Sequence, residues 1–518
     1  MTTHIDRARI RHEVQQYFRY VVLSHKWEDN EPLFHHVVHI GVYDLNDSPT
    51  HKKLHTYCKI VRDAGFHWAW SDTCCIDQSD HFVLQEALVA MFKWYQGSAL
   101  MIVFLRGVLS SSPGGALAGS IWNTRGWTLQ EYIAAKKVRF YTEDWTLYRD
   151  IQLQNHKESS EVVAEMEQAT EVSAQRLTSL YPGLTSIREK LRLASTRRTT
   201  RVEDAAYSLL GIFSAVGISA IYGEGEASLG RLLANILTRS GEVSILAWTG
   251  EPSQFNSCLP ARITVYNELA TSHVPAPISE DEMERMIAAT HSSFDFDVAL
   301  RLYDHLSRLP TPRFAESRMT LPCIAFLLPP FSHWRSGRVR SRRIYRVDTI
   351  TFGMVEIRTR HDLSQITPLY LVHPWLDALL EREDKSDDSV ERNMPPPSPD
   401  TDNEEFSDSD GNDDDDELSD REFWDDEESL DEDVNDNSTS LPRSGPHTAP
   451  VHTPMDRETG ARRLVVLLRQ PFGALLMKPG ARVGDYQRVA TDSLVRVRFQ
   501  ESVSLTGILD NVRTVEVL

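Results

Sequence analysis

The sequence predicts an α/β protein: an open parallel sheet with helices on both faces, followed by a helical extension and a β-rich C-terminal domain. Three observations lead there. In the first 145 residues short apolar runs alternate with segments of helical spacing, the pattern of βαβ units around a parallel sheet. One run, Leu100-Met-Ile-Val-Phe-Leu105, is apolar throughout, as expected of a strand covered on both faces. After about Gln152 the alternation gives way to helical periodicity, and beyond residue 255 to β-branched runs broken by Pro, Gly and charge.

Taken in order, Tyr20-Val-Val-Leu23 reads as the first strand and ends in Ser24-His25. Lys52 to Ala64 puts Leu54, Cys58 and Val61 on one helical face, and Gly65 closes it. Phe66 to Trp70 reads as the second strand. Phe82 to Tyr95 carries Leu84, Leu88, Met91, Phe92 and Tyr95 at helical offsets. Leu100–Leu105 is the third strand, Thr128–Ala135 a short helix, and Val138–Tyr141 the fourth strand. Glu161 to Leu180 is amphipathic, Thr200 and Glu203 form a capping box before Ala205–Leu210, and Ala227–Thr238 is another helix. Val243–Trp248 reads as a strand packed back on the core. Farther on, Ile344–Thr351, Met354–Thr359, Leu369–Val372, Arg463–Leu468, Ser493–Phe499 and Thr514–Leu518 read as strands, mostly antiparallel.

This divides the chain into an α/β domain over 1–150, a helical extension over 151–250, and a β-rich domain in two parts, 255–382 and 461–518. Between those parts, residues 383–460 form an acidic insert expected to be disordered, because it lacks branched apolar residues to offset the entropy of ordering. From Glu383 to Ser438 there are 26 Asp and Glu against three Lys and Arg, a local charge of −23. That exceeds the −20 of the whole chain, so everything else is near neutral. A basic nucleic-acid groove or membrane patch is therefore not expected. The N-terminus lacks an apolar secretory core, and no apolar run approaches the roughly 20 residues of a membrane helix. Five scattered cysteines, with no C-x-x-C pair, argue against a disulfide framework or a zinc site and for a reducing, cytoplasmic setting.

Four stretches occur in a fixed order: Tyr20-Val-Val-Leu-Ser-His-Lys-Trp27, Trp70-Ser-Asp-Thr-Cys-Cys-Ile-Asp77, Met91-Phe-Lys-Trp-Tyr95 and Arg125-Gly-Trp-Thr-Leu-Gln-Glu131. Together they resemble the fungal HET (heterokaryon incompatibility) domain, and Ser195–Gly211 and Ile221-Tyr-Gly-Glu-Gly225 resemble the segment that follows it in many members. One departure is that Glu28-Asp29 follow Trp27, where a glycine often stands. The resemblance implies self/non-self recognition (vegetative incompatibility) and programmed cell death, set off by a protein partner or by self-association. HET domains in turn look like distant relatives of TIR domains, here through Leu23–Asp29 and the helix start Trp127-Thr-Leu-Gln-Glu131. That likeness implies a TIR/flavodoxin-like sheet and gives Glu131 the place of the catalytic glutamate of an NAD glycohydrolase. NAD is then a substrate, and no resident cofactor or metal is implied.

The residues themselves allow two readings each. A carboxylate at Glu131 can stabilise the oxocarbenium-like charge that develops when nicotinamide leaves the ribose, or it can be a first-turn helix carboxylate favoured by the macrodipole. Ser24 and His25 end the first strand, where such sheets place ligands; they can bind ribose or phosphate, or order the loop. Trp27 stands in the same loop. Asp72 and Asp77 can face the ligand or cap a helix. Arg125 can pair with a pyrophosphate, and Trp127 can stack on a base or simply be buried. Ser24 and His25 are a poor nucleophilic dyad, since adjacent strand residues point to opposite faces. Cys74 and Cys75 are expected to be core packing, because free cysteine is among the most buried residue types and nothing in the sequence lowers a thiol pKa here. No phosphate-loop motif occurs.

Overall fold

A computed structural model of the chain describes residues 7–173, 175, 177, 180–267, 274, 275, 278–290, 294–339, 341–366, 368–381 and 456–518. The acidic insert lies outside them, apart from its last residues. Four strands, β1 (Tyr20–His25), β2 (Trp68–Trp70), β3 (Leu100–Leu105) and β4 (Val138–Thr142), form a parallel sheet in the order β2-β1-β3-β4. This is the predicted open α/β sheet, and its strand order reverses between β1 and β3, the switch point at which such sheets bind ligands.

Alternation along the strands builds two cores. Val22, Met101, Val103, Leu105, Val138 and Phe140 face one side, while Val21, Leu23, Leu100, Ile102, Phe104 and Tyr141 face the other. Helix α1 (Arg7–Tyr17) lies exposed at the outside, and the short α2 (Phe34–Val37) precedes α3. Helix α3 (Pro49–Asp63) packs Leu54, Tyr57 and Val61 on the second face. It begins where Ser48 accepts the His51 N–H and Pro49 stands at its first position. On the first face lie α4 (His81–Gln96), capped by Asp80, and α5 (Trp127–Ala134).

Helices α6 (Ser160–Thr170), α7 (Ile187–Ser195), α8 (Asp204–Tyr207) and α9 (Ala227–Ser240) form the extension and share the first core. Three expectations change here. The amphipathic run from Glu161 stops at Glu171, whose φ of 54° ends the helix. Glu203 does not close a capping box; its carboxylate accepts the Gly223 and Gly225 N–H groups instead, at 2.9 and 3.0 Å. Val243–Leu246 is a 3-10 turn rather than a strand, because its neighbouring carbonyls are claimed by a side chain: Arg488 donates to Leu246 O and Trp248 O.

The C-terminal region opens with α10 (Glu280–Thr290) and α11 (Phe296–Ser307), two helices the short β-branched runs gave no sign of. Strands β5 (Arg313–Ala315), β6 (Arg318–Leu327), β7 (Trp334–Val339), β8 (Arg342–Thr349), β9 (Gly353–Thr359) and β10 (Tyr370–His373) follow, then the short α12 (Leu376–Leu380). Beyond the insert come α13 (Arg457–Leu468), β11 (Phe472–Pro479), β12 (Asp485–Arg488), β13 (Val495–Val497), α14 (Leu505–Leu509) and β14 (Val512–Val517). Five strands close into a barrel in the order β10-β11-β12-β14-β6, since β6 pairs with both β14 and β10. β5 and β13 extend it, and β7-β8-β9 make a separate antiparallel sheet. Strands from before and after the insert thus pair directly: Leu371 opposes Leu476, and Ile324 opposes Val512. Arg463–Leu468 is helical, not a strand. Its continuous apolar run fits either state by periodicity, and the Asp456 cap together with packing of Ala461 and Val465 on Ala299 of α11 decides for helix.

Candidate functional site

The carboxyl ends of β1 and β2 and one face of α5 converge on a buried polar cluster. Ser24 and His25 are the last residues of β1 and point to different partners, as alternation along a strand requires. The Ser24 hydroxyl donates to a Glu131 carboxyl oxygen and accepts the Trp122 indole N–H at 2.7 Å. His25 lies 3.3 Å from Asp72 through Nε2 and 3.7 Å from Glu31 through Nδ1. The second Asp72 oxygen accepts the Trp27 indole N–H at 2.8 Å. Among the described residues no hydrogen bond joins Ser24 to His25.

Glu131 is 3% exposed, and its carboxyl is pushed up to about 8. Burial is the main cause and the Asp72 charge adds to it, while Ser24, Arg125 and Arg197 pull the other way. At neutral pH the carboxyl therefore keeps its proton. It is the fifth residue of α5, beyond the first turn, so the helix dipole does not explain its position. What does is the long loop from β3, which brings Trp122 and Arg125 over the strand ends before α5 begins.

That loop is fastened by the segment after α7. Gly126 donates to Arg198 O at 2.9 Å, and Arg198 donates to Thr124 O at 2.7 Å. A β-carbon at Gly126 would stand 2.4 Å from the Thr199 methyl, so only glycine permits this approach. Arg197 is buried and donates to Thr128 Oγ1 at 2.8 Å and Arg125 O at 3.0 Å. Burial lowers its pKa to about 10, and Glu131 and Tyr132 oppose that shift. Arg125 is half-buried, and its Nε has no hydrogen-bond partner.

An ionic chain continues from His25 under the first loop. Glu31 pairs with the buried Lys53, which lies 3.6 Å from Glu28; Arg106, at the end of β3, bridges Glu28 at 3.7 Å and Glu143 at 2.5 Å. Thus Ser24, His25, Trp27, Asp72, Arg125 and Glu131 come together, and two expected members do not. Asp77 accepts the Ser79 N–H and hydroxyl at 2.9 and 2.6 Å, a local turn. Trp127 hydrogen-bonds Asp204 of α8, tying α5 to the helical extension. Glu31, Lys53, Trp122 and Arg197 carry no signal in the sequence that marks them as site residues. Of these, only Arg197 lies in a stretch of family resemblance.

Apart from Trp27, which is 37% exposed, and the half-buried Arg125, the cluster is closed to solvent: Ser24, His25, Asp72 and Glu131 are each buried. A cavity of about 510 Å³ lies elsewhere, lined by residues such as Phe255, Arg318, Lys478 and Gln487. Among the described residues no group of His, Cys, Asp and Glu is arranged to hold a metal, and no helix is long and apolar enough to cross a membrane.

The cysteines part company. Cys74 is buried as expected, but Cys75 is exposed, and its sulfur accepts the Ser71 N–H at 3.4 Å. Its pKa is lowered, first by the Cys74 thiol that donates to it and then by Ser71. Assigning Cys75 to core packing is therefore wrong: the loop after β2 turns its sulfur outward.

Comparison with known proteins gives two matches in sequence. The family model described as "Heterokaryon incompatibility protein (HET)" matches residues 20–116, from β1 through β3. Over these residues the chain is similar to a HET domain. It is 34% identical over 232 residues to the vegetative incompatibility protein HET-E-1 of Podospora anserina. That match covers 42% of this chain but 16% of the relative, so the chain spans a small part of that protein's length. No solved structure matches the chain. Glu131 lies 15 residues beyond the end of the family-model match.

Proposed function

We propose that this chain acts in vegetative incompatibility, in the cytoplasm, and that its HET domain is a TIR-like effector that hydrolyses NAD at Glu131. The observation that carries the reading is a buried carboxyl hydrogen-bonded to the end of β1, at the switch point of a parallel sheet, with an arginine nearby. The chemistry follows from charge. The nicotinamide ring is cationic, and bringing it beside Glu131 favours the ionised carboxylate. Once ionised, its proton passed to solvent, the carboxylate stabilises the oxocarbenium-like charge on the ribose as the nicotinamide–ribose bond breaks, and water then adds to that ribose carbon with loss of a proton. Arg125, with its unpartnered Nε, suits a pyrophosphate oxygen, and the exposed face of Trp27 suits the adenine or nicotinamide ring. Cell death then follows from NAD loss. Because the cluster is closed, activity requires opening by a protein partner or by self-association.

A second reading has its own observation: Glu131, Ser24 and Trp122 are already hydrogen-bonded to one another, and Asp72 to His25 and Trp27. Read this way, the cluster is structural and the domain signals by assembly alone. Incubating the purified chain with NAD and a crowding agent, and assaying free nicotinamide, separates the two. Release that Glu131→Gln abolishes supports the effector reading. Assembly without release supports the second, and release unchanged by Glu131→Gln removes Glu131 from the chemistry.

A further inference from the structure

The loop Ser71–Asp77 presents a chemical group that NAD hydrolysis does not use. Its backbone doubles back, with the N–H groups of Cys74 and Cys75 both donating to Ser71 O at 3.2 and 2.9 Å. The turn lays the Cys75 sulfur across the mouth of the loop, where it accepts the Ser71 N–H. Buried Cys74 is its neighbour in the same turn, and its thiol is pushed well up, first by a side-chain hydrogen bond with Cys75 and then by burial, so it keeps its proton. Two donors thus converge on one exposed sulfur, an arrangement that stabilises a thiolate rather than a thiol. The other titratable groups facing the pair are Cys58 and Tyr57 of α3, both pushed up by burial, and Asp72, whose charge opposes the thiolate.

From this geometry we propose that Cys75 is a redox-reactive thiolate that hydroperoxides oxidise, and that Cys74 resolves it to a vicinal disulfide. The Cys75 thiolate attacks one peroxide oxygen and the O–O bond breaks. Cys75 becomes a sulfenic acid, and hydroxide, or the alkoxide of an organic hydroperoxide, leaves. Cys74 then attacks the Cys75 sulfur; the S–O bond breaks, the disulfide forms, and the Cys74 proton leaves with the hydroxyl as water. Two thiols are oxidised and one peroxide is reduced. Thiol reductants reverse the step.

The consequence reaches the polar cluster through the chain itself. Asp72 is two residues from Cys74 in the same turn and holds both His25 and Trp27. Closing an S–S bond between adjacent residues reshapes that turn and moves the Asp72 carboxylate. The redox chemistry stands independently of any NAD-hydrolysing activity, and so does its test.

The test uses the full reduced chain and iodoacetamide with peptide mapping. Cys75 is expected to alkylate at least about tenfold faster than Cys58, Cys74, Cys258 or Cys323 near neutral pH. In Cys74→Ala the alkylation midpoint of Cys75 moves to higher pH, a change that a merely packing role for Cys74 does not produce. Hydrogen peroxide lowers the wild-type mass by about 2 Da. The loss persists in Cys58→Ser and disappears in Cys74→Ala, where dimedone traps the Cys75 sulfenic acid instead. Cys75 reacting no faster than the buried cysteines overturns the proposal on the wild type alone. Loss of the 2 Da change in Cys58→Ser but not in Cys74→Ala overturns the vicinal disulfide.

Discussion

The two halves of the molecule each bury an ionisable side chain completely, and they treat it in opposite ways. In the parallel-sheet domain Glu131 sits among partners: Ser24 bonds it, Arg125 and Arg197 stand nearby, and Trp122 anchors Ser24 in turn. In the C-terminal barrel His373, on β10, has no hydrogen-bond partner at either ring nitrogen among the described residues. It packs on Phe472 with ring centres 3.9 Å apart and lies parallel to Phe499. Burial pushes its pKa down to about 3. The barrel thus uses a histidine as a neutral aromatic plate, whereas the parallel sheet gathers charges at its strand ends. A polar group that is merely tolerated is surrounded by carbon. One that a site needs is surrounded by groups able to respond when its charge changes.

The sharpest way to break this comparison is pH, because the two groups act with opposite sign. Glu131 is raised from 4.5 to about 8 in the folded chain. Its stabilising share is full below 4.5 and is lost as pH rises through 8, by about 1.4 kcal/mol per unit. Compared with Glu131→Gln, the wild type should therefore weaken progressively over that window, read as local hydrogen exchange in residues 120–135. His373 is lowered from 6.5 to about 3, so its share is present above 6.5 and is lost as pH falls toward 3, with a similar slope. His373→Phe should remove that acid sensitivity in the peptides spanning β10 and β11. A constant offset between wild type and variant across either window would mean that Glu131 is not held protonated, or His373 not held neutral, by the fold.

Next in size is Arg197→Ala. Removing this guanidinium strips donors from Thr128, the Arg125 carbonyl and Asn123, and leaves Glu131 with one cation fewer. Leaving buried acceptors unpaired costs about 1–3 kcal/mol each. Arg197→Lys recovers only part of this, since one ammonium cannot span partners on three residues. Denaturant midpoints for both variants check the order. Equal stability of Arg197→Ala and wild type would show that the loop over the strand ends is held by its backbone bonds alone.

Much of the parallel sheet and its site is legible in the residues. The four strands follow from period-two alternation and one wholly apolar run, and Ser24, His25, Asp72 and Glu131 fall at strand ends or in a short motif. What escapes is long-range. Arg197 meets Thr128 across 69 positions, Trp122 meets Ser24 across 98, and Lys53 reaches Glu31 from a helix face that its sequence presents as polar. Trp127 and Asp77 join the expected site by motif proximity alone, and each has a nearer use in the fold. The helix at Arg457–Leu468 is hidden for a different reason, because a continuous apolar run carries no period to read.

The smallest effect bears most directly on the site. Trp122→Phe keeps the ring that packs edge-on against Phe140 and removes only the N–H donated to Ser24. A single buried hydrogen bond of this kind is worth about 1 kcal/mol, so the fold should survive nearly intact. Without the indole donor, however, the Ser24 hydroxyl is free to rotate away from Glu131, and the carboxyl loses a hydrogen bond that favours its ionised form. The pH window over which Glu131 titrates should then shift upward in Trp122→Phe relative to wild type. If instead the window stays in place while stability drops, Trp122 is only a core residue. Ser24 would then be held toward Glu131 by the strand end itself.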